Sequence, residues 1–174
     1  MKLHFFAAAS LAAFASLACA STSPAQATAH ADILNGTGTK IGTATFTQAT
    51  DGVQIAVDVS QLPAGTHGIH IHAVGKCEGP AFTSAGGHFN PANKKHGKDN
   101  ADGPHNGDLM NITAGDDGHA KASLLAANVT LGPGPNSLFG DAGTALVIHA
   151  SADDYKTDPS GNSGARIACG VITK

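Results

Sequence analysis

Short runs in which apolar and polar residues alternate recur along the chain. The clearest is Val53–Val59, which has Val or Ile at every second position and Gln, Ala or Asp between them. Successive side chains of a strand point to opposite faces of a sheet, so this pattern predicts a strand with one buried face. Seven further segments are strand candidates: Ile33–Asn35, Lys40–Gln48, Thr66–His72, Leu109–Ala114, His119–Ala126, Ala145–His149 and Arg166–Ile172.

Turn-forming dipeptides separate these segments, and no long helical pattern lies between them. Asn35-Gly36, Asp51-Gly52 and Asp117-Gly118 are typical of connections between antiparallel strands. We therefore predict an all-β fold, an antiparallel sandwich or barrel of eight strands. Two segments are too long for simple turns: residues 73–108, the first long loop, and residues 150–165, the second long loop. Loops of this length in a compact domain usually carry function, unless they are tethered or disordered.

The first 27 residues have the pattern of a secretory signal peptide. Lys2 precedes an apolar stretch from Phe5 to Ala18, and small and polar residues follow up to Ala27. A membrane anchor would need about 18 or more strongly apolar residues, and this run is shorter and rich in Ala. We expect cleavage after Ala27, a single domain over residues 28–174, and export to the periplasm. Lipidation at Cys19, at the end of a lipoprotein-like box, is an alternative that would attach the protein to a membrane.

Composition excludes several classes of protein. The chain is 41% hydrophobic, too much for intrinsic disorder, and its 22 Gly and 8 Pro suit many short elements joined by turns. Ten basic residues against 13 acidic ones give none of the excess of positive charge that phosphate-backbone binding needs. We therefore expect no nucleic-acid partner.

Two cysteines remain once the leader is removed, Cys77 and Cys169. An exported compartment allows thiols to oxidise, so we expect these two to pair. The bond would close a loop with a sequence separation of 92 residues, and on the chain-entropy model this stabilises the fold by about 4–5 kcal/mol. The alternative is a pair of buried free thiols.

Ten histidines in 174 residues are a high content, and their spacing indicates a metal site. His70 and His72 are two positions apart on a predicted strand and so share one face, while Ile69 and Ile71 face the other way. His149, which ends an apolar run, can supply a third imidazole from a neighbouring strand. Neutral imidazoles suit copper, zinc, iron or nickel, and an open, all-nitrogen site suits Cu(II) in particular.

The first long loop carries a second set of metal-binding residues: His88, His96, His105 and Asp108. Three nitrogens and one carboxylate oxygen would make a closed tetrahedral site of the kind that holds zinc structurally, although the compact spacing of zinc fingers is absent. For the four remaining histidines we expect no metal role: His4, His30, His67 and His119.

Six strings of residues resemble one family, the copper/zinc superoxide dismutases in their exported bacterial form. They occur in the family's order and cover nearly the whole chain after the leader. The strings are Gly68–His72 (GIHIH), Ser84–Pro91 (SAGGHFNP), Lys95–Gly97 (KHG), His105–Leu109 (HNGDL), Val147–Ala150 (VIHA) and Gly164–Ile172 (GARIACGVI).

The resemblance implies a fold and a set of ligands. It implies an eight-stranded Greek-key barrel, a Cys77–Cys169 disulfide, and one copper and one zinc ion per chain. The implied copper ligands are His70, His72, His88 and His149. The implied zinc ligands are His88, His96, His105 and Asp108, so that His88 bridges the two ions. Asp153 is the implied outer carboxylate, which accepts hydrogen bonds from one copper and one zinc histidine.

The resemblance also implies an activity, the dismutation of superoxide to oxygen and hydrogen peroxide, which protects the cell envelope from oxidants. Arg166 is the implied receptor of the anion, a role that suits a permanently charged guanidinium, and His88 is expected to carry a proton. The second long loop has a single positive charge before Arg166, so the lysines that attract superoxide cannot be carried over. The candidates are Lys94, Lys95, Lys98 and Lys156. The family contains both monomers and homodimers.

Two other functions are alternatives to dismutation. A non-enzymatic copper/zinc carrier built on the same barrel would lack part of the copper set, whereas all four copper positions and Arg166 are present. A zinc hydrolase needs an open zinc position and a carboxylate base. The only glutamate, Glu78, lies beside Cys77, and the zinc set already has four ligands.

Overall fold

The computed structural model describes Met1 and residues 26–174, so Cys19 and nearly all of the predicted signal peptide lie outside the described residues. The described part contains nine strands and one short 3-10 helix, Thr83–Ala85. The strands are β1 (Thr28–Asn35), β2 (Lys40–Ala49), β3 (Gly52–Val59), β4 (Gly65–His67), β5 (Ile69–His72), β6 (Ile112–Ala114), β7 (Ala120–Ala126), β8 (Ala145–His149) and β9 (Arg166–Val171). No helix in this part is long and apolar enough to cross a membrane.

Seven strands form one antiparallel sheet in the order β5-β8-β9-β1-β2-β3-β7, and β4 pairs with β6. The small pair connects the two edges of the large sheet, because β4 leads directly into β5 and β6 is followed by β7. Apolar side chains from both sheets share a single core. The predicted all-β Greek-key barrel is confirmed.

The alternating pattern that predicted β3 is seen directly in its burial. Val53, Ile55, Val57 and Val59 are all 2% exposed or less, and β3 pairs along its length with β2 and β7. The exposed residues between them face solvent, so one face of this strand lines the core, as predicted.

The predicted strand Thr66–His72 is divided in two, which raises the count from eight to nine. The break is at Gly68: His67 pairs with Ile112 of β6, whereas Ile69 pairs with Ile148 of β8. A Cβ at Gly68 would lie 2.9 Å from the Cβ of Ser163 in the second long loop, so only glycine fits. The strand therefore changes partners at its one position without a side chain.

Two further expectations need correction. Strand β1 begins at Thr28 and not at Ile33; its early inward positions are Ala29 and Ala31, whose small side chains give a weak hydrophobic signal. A third long connection, residues 127–144, was not distinguished by its sequence. Its residues Val129 and Leu138 are buried in the main core.

Strand β8 is buried on both faces, which explains its continuous apolar sequence. Leu146 and Ile148 belong to the main core. The opposite face carries a second, smaller cluster, here called the outer cluster, in which the first long loop packs against β8 and β9: Phe82, Ala85, Ala145, Val147 and Cys169, with Cys77 beside them.

Cys77 and Cys169 form a disulfide with their Cα atoms 5.6 Å apart. The expected pairing is confirmed, and the alternative of two free thiols is wrong. The bond joins the first long loop to β9 beside the outer cluster.

Replacing both cysteines (Cys77→Ala with Cys169→Ala) should lower the free energy of unfolding by about 2–5 kcal/mol, because the unfolded chain regains the entropy of an open loop. Urea unfolding followed by circular dichroism measures this change. The matched control is the unaltered chain under reducing conditions, which should lose a similar amount. A double variant as stable as the oxidised parent would contradict the stabilising role of the bond.

Candidate metal centre

Strand β5 presents two histidines on the face turned away from the core. Ile69 and Ile71 lie in the main core, so His70 and His72 point to the opposite side, as the strand period predicts. The neighbouring strand β8 ends at His149.

The free edge of β5 is covered by two segments of the first long loop. Phe89 N donates to Ile71 O at 2.8 Å, and Ile71 N donates to Gly107 O at 2.9 Å. A Cβ at Gly107 would overlap Ile71 O, so glycine permits this approach. These bonds bring His88 and Asp108, the residues next to Phe89 and Gly107, alongside the strand.

Four ring nitrogens that converge at the end of β5 are buried and have no hydrogen-bond partner among residues 26–174. They belong to what we call the four-histidine group: His70 Nδ1, His72 Nε2, His88 Nε2 and His149 Nε2. All four atoms lie within 4.8 Å of one another. A buried nitrogen without a partner is destabilising by about 1–3 kcal/mol, so such a convergence fits a bound cation.

The opposite ring nitrogens of this group are all held by acceptors. His70 Nε2 lies 2.8 Å from Asp153 Oδ2, and His88 Nδ1 lies 2.8 Å from Asp108 Oδ1. Two backbone carbonyls hold the others: Gly86 O is 2.9 Å from His72 Nδ1, and Gly164 O is 3.1 Å from His149 Nδ1. Carbonyl and carboxylate oxygens can only accept hydrogen bonds here, so each of these opposite nitrogens carries the proton and each converging nitrogen keeps a lone pair.

Burial keeps the group uncharged. It lowers the pKa of His70 to about 3, of His72 to about 2 and of His149 to about 4. It also lowers the pKa of His88. Neutral imidazoles are the form that binds copper or zinc.

A second group, here called the Asp108 group, contains His88, His96, His105 and Asp108. The Nδ1 atoms of its three histidines lie 2.8, 3.0 and 3.3 Å from Asp108 Oδ1. His88 Nδ1 and His105 Nδ1 are 3.3 Å apart. Two ligands of a tetrahedral zinc ion, each about 2.0–2.1 Å from the metal, are separated by about 3.3 Å. The donor set and its spacing therefore fit a closed tetrahedral ion.

Asp108 is fixed and ionised. Its Oδ2 accepts hydrogen bonds from Gly97 N at 2.8 Å and His105 N at 3.0 Å. Burial opposes its ionisation, but hydrogen bonds from the imidazoles outweigh burial and hold the pKa of Asp108 well below its usual range. The group thus offers a carboxylate in place before any ion binds.

His88 belongs to both groups. Its Nε2 points into the four-histidine group and its Nδ1 into the Asp108 group. One imidazole can therefore bind two ions at once through its two nitrogens.

Asp153 connects the two groups through ring nitrogens that are directed away from them. Its Oδ2 bonds His70, and its Oδ1 lies 3.0 Å from His96 Nε2. Burial disfavours its charged form, but bonds from His70 and His96 lower the pKa of Asp153 overall. Burial likewise disfavours the charged form of His96, but hydrogen bonds with Asp108 and Asp153 raise its pKa to about 9.

Asn111 holds Asp153 in place and was missed in the sequence. Its side-chain amide makes two hydrogen bonds of 2.9 Å to the backbone N–H and C=O of Asp153. Asn111 N also donates to the Tyr155 hydroxyl at 2.8 Å. No spacing rule links residues 42 positions apart, so the sequence gives no signal for this contact.

A cavity of about 410 Å³ opens onto the four-histidine group. Its lining residues include His72, His88, His149 and Arg166. Arg166 donates to Phe82 O and Gly86 O, both at 2.7 Å, which fixes the guanidinium. Burial lowers the pKa of Arg166, but arginine keeps its charge in proteins. A small anion entering the cavity meets one fixed positive charge.

His30, His67 and His119 lie outside both groups, and His4 lies outside the described residues. His67 is buried, and its ring nitrogens lie 2.8 Å from His149 O and Pro63 O. His119 is at the surface beside Asp58.

None of the lysines in residues 26–174 lines the cavity. Lys95 pairs with Asp158 at 3.2 Å and Lys98 with Asp99 at 2.9 Å, whereas Lys94 and Lys156 make no ion pair in this part of the chain. Asp158 was not singled out in the sequence.

Comparison with known proteins agrees with this geometry. The family model described as copper/zinc superoxide dismutase (SODC) matches residues 40–172. The chain is 53% identical over 145 residues to superoxide dismutase (Cu-Zn) 1 of Aquifex aeolicus (strain VF5), a match that covers 82% of this chain and 86% of that protein.

Two solved structures are also similar. A SOD-like protein from Bacillus subtilis has a TM-score of 0.79 and 40% identity, with 82% of this chain and 96% of that chain covered. Cu/Zn superoxide dismutase from Brucella abortus has a TM-score of 0.68 and 27% identity, with 84% and 99% covered. The chain therefore belongs to the copper/zinc superoxide dismutase family, whose members bind copper and zinc.

Three single substitutions should separate the two groups. His149→Ala should remove one ion per chain, His105→Ala should remove the other, and His88→Ala should impair both because both groups share that ring. Mass spectrometry of metals in protein loaded with copper and zinc counts the ions. His119→Ala, outside both groups, is the control and should bind as the parent does. Equal losses in all three variants would contradict two distinct sites.

Removing the metals should make stability sensitive to mild acid. The lowered pKa values of His70, His72 and His149 mean that below about pH 6.5 the unfolded chain takes up protons before the folded one does. Stability then falls as pH falls, by up to about 1.4 kcal/mol per pH unit for each such group. His96 acts in the opposite direction, since the stability from its raised pKa is complete below about pH 6.5 and is lost as pH rises through about 9.

Urea unfolding of metal-free protein at pH 7 and pH 5 measures the effect, with metal-loaded protein as the control. If the metal-free protein had the same free energy of unfolding at pH 7 and pH 5, the four-histidine group could not be neutral in the folded state.

Proposed function

We propose that this chain is a superoxide dismutase: two superoxide anions and two protons give oxygen and hydrogen peroxide. The observation that carries the proposal is the convergence of four buried imidazole nitrogens at a cavity that also contains Arg166. Within the described part of the chain these nitrogens have no hydrogen-bond partner. Family membership supports it, since the curated relative from Aquifex aeolicus is named a copper-zinc superoxide dismutase.

Each of the two groups would hold one metal ion. His70, His72, His88 and His149 would hold copper, because they offer four nitrogens and border the cavity. His88, His96, His105 and Asp108 would hold zinc, because they offer a closed set of three nitrogens and one oxygen. When bound, copper supplies reversible one-electron transfer, and zinc supplies a fixed charge that tunes the shared imidazole.

The chain's own residues would position substrate and protons. Arg166 attracts and orients the anion with its fixed donors. His88 Nε2 holds a proton in one half of the cycle and delivers it in the other, while Nδ1 stays directed at the Asp108 group. Asp153, Gly86 O and Gly164 O fix the tautomers of the remaining ligands.

Attraction of superoxide to a chain of formal net charge −3 needs a local positive field. Arg166 is the main source, since Lys95 and Lys98 are paired with carboxylates. Lys94 is the strongest of the lysine candidates. Its backbone is held by two hydrogen bonds of 2.9 Å to Asn90, and Asn90 lines the cavity. Lys156 is a weaker candidate.

We also propose export to the periplasm with cleavage after Ala27, leaving a domain of residues 28–174. The disulfide supports an oxidising compartment, and β1 begins at Thr28. Lipidation at Cys19 is the alternative, and mass spectrometry of the mature N-terminus distinguishes the two. The mature protein would act as a monomer or a homodimer.

A metal carrier on the same barrel is not favoured. A carrier has no need of a guanidinium held by two carbonyls beside an open cavity, nor of a ring shared by two metal groups. Catalysis uses both features.

The decisive test is to load the protein with copper and zinc and to measure the rate of superoxide consumption by stopped-flow absorption. We expect rapid second-order consumption, and a loss of about ten- to a hundredfold in kcat/KM for Arg166→Gln, because the local positive field that attracts the anion is removed. The electron paramagnetic resonance spectrum and the metal content should remain those of the parent.

Lys121→Gln is the matched charge control. Lys121 pairs with Asp58 on the outer face of the barrel, away from the cavity, and its loss should leave the rate within about twofold. If loaded protein consumed superoxide no faster than buffer does, the carrier would be the better interpretation.

A further inference from the structure

The outer ring nitrogens, those directed away from the metal groups, have partners in almost every case. His70 Nε2 and His96 Nε2 both bond Asp153, and backbone carbonyls hold the outer nitrogens of His72 and His149. His88 has no outer nitrogen, because both face a group. His105 is the exception: in residues 26–174 its Nε2 has no hydrogen bond, and the carboxylate that faces it is Asp158, with Oδ1 at 3.9 Å.

Asp158 also contacts a second member of the Asp108 group. Its Oδ1 accepts a hydrogen bond from His96 N at 2.8 Å, and its Oδ2 accepts one from Lys95 Nζ at 3.2 Å. The side chain of Asp158 is 37% exposed, so it lies at the rim and not in the interior. One carboxylate of the second long loop thus reaches the backbone of one candidate ligand and the ring of another.

We propose that Asp158 is a positioning residue for the metal ion of the Asp108 group. It fixes the backbone of His96, and its negative charge favours the tautomer of His105 that carries the proton on Nε2. That tautomer leaves the His105 Nδ1 lone pair available to the ion of the Asp108 group. The inference rests on the proposed function to the extent that this group holds zinc.

An outer carboxylate strengthens the binding of a metal ion by the imidazole that it contacts. It fixes the tautomer and the ring orientation and makes the ligand nitrogen more basic, so its removal typically weakens metal binding by about 10–100-fold. Asp153 has this contact with His70 and His96. With Asp158, each histidine of the Asp108 group that has an outer nitrogen faces a carboxylate of the second long loop.

Through Asp158, the second long loop connects the cavity wall to the Asp108 group. Its residues Pro159 and Ser160, next to Asp158, line the cavity over the four-histidine group. Asp158 fastens this wall to the Asp108 group through His96 N. Binding of an ion in the Asp108 group, on one side of His88, therefore also restricts the motion of the cavity wall formed by Pro159 and Ser160 on the other side.

The experiment compares Zn(II) affinity in three variants by competition with a chromophoric chelator. Asp158→Ala removes both contacts and should weaken Zn(II) binding by about 10–100-fold. Asp158→Asn keeps an acceptor for His96 N but loses the charge that faces His105, so its loss should be smaller. Lys95→Gln removes only the exposed ion pair and is the matched control; its Zn(II) affinity should equal that of the parent.

Two further readouts distinguish positioning from general stability. Co(II) bound in place of zinc should show altered visible absorption bands in Asp158→Ala, because the bands report ligand geometry, and unchanged bands in Lys95→Gln. Hydrogen exchange of the His96 amide should be faster in Asp158→Ala and close to the parent in Asp158→Asn.

Two results would overturn the inference, and they are distinguishable. Parental Zn(II) affinity and Co(II) bands in both Asp158 variants would overturn the role of Asp158 alone. Failure of the unaltered chain to bind Zn(II) would overturn the proposed function as well.

Discussion

The presence of four buried imidazole lone pairs in one place is the constraint on which this structure depends. Each would be destabilising by about 1–3 kcal/mol without a partner. None can turn away, because the opposite nitrogen of each ring is held by a carbonyl or a carboxylate. Only a cation satisfies all four at once. Both His88 nitrogens are committed in this way, so the second group and its carboxylate are tied to the first.

The barrel provides the rigidity that this arrangement requires. His70, His72 and His149 project from strands whose opposite faces lie in the main core. The other candidate ligands are carried by the first long loop, which is tied down by backbone bonds to the edge of β5 and by the outer cluster. Functional residues on loops held by a rigid scaffold are common in β proteins. Here the strands contribute three members of the four-histidine group, and the first long loop contributes His88 and the rest of the Asp108 group.

Much of the site could be predicted because it follows from local periodicity. The two-residue spacing of His70 and His72 places both rings on one face, and the family motifs indicated the remaining ligands. The parts that could not be predicted are contacts between distant residues: Asn111 with Asp153, and Asp158 with His96, across 42 and 62 positions. The choice of ring nitrogen also depends on such contacts, since Gly86 O and Gly164 O select it. In the fold, the break at Gly68 depends on Ser163, which no pattern near residue 68 reveals.

The carbonyl of Gly86 accepts hydrogen bonds from both His72 and Arg166. A single peptide group therefore orients a candidate copper ligand and the guanidinium that is proposed to receive the anion. The segment that carries it is anchored to the barrel by Phe82, Ala85 and the Cys77–Cys169 bond. A newly synthesised chain with reduced thiols has all its histidines but lacks the covalent part of this anchor. Thiol oxidation therefore completes this anchor, so the orientation of both side chains depends on the redox conditions under which the chain folds.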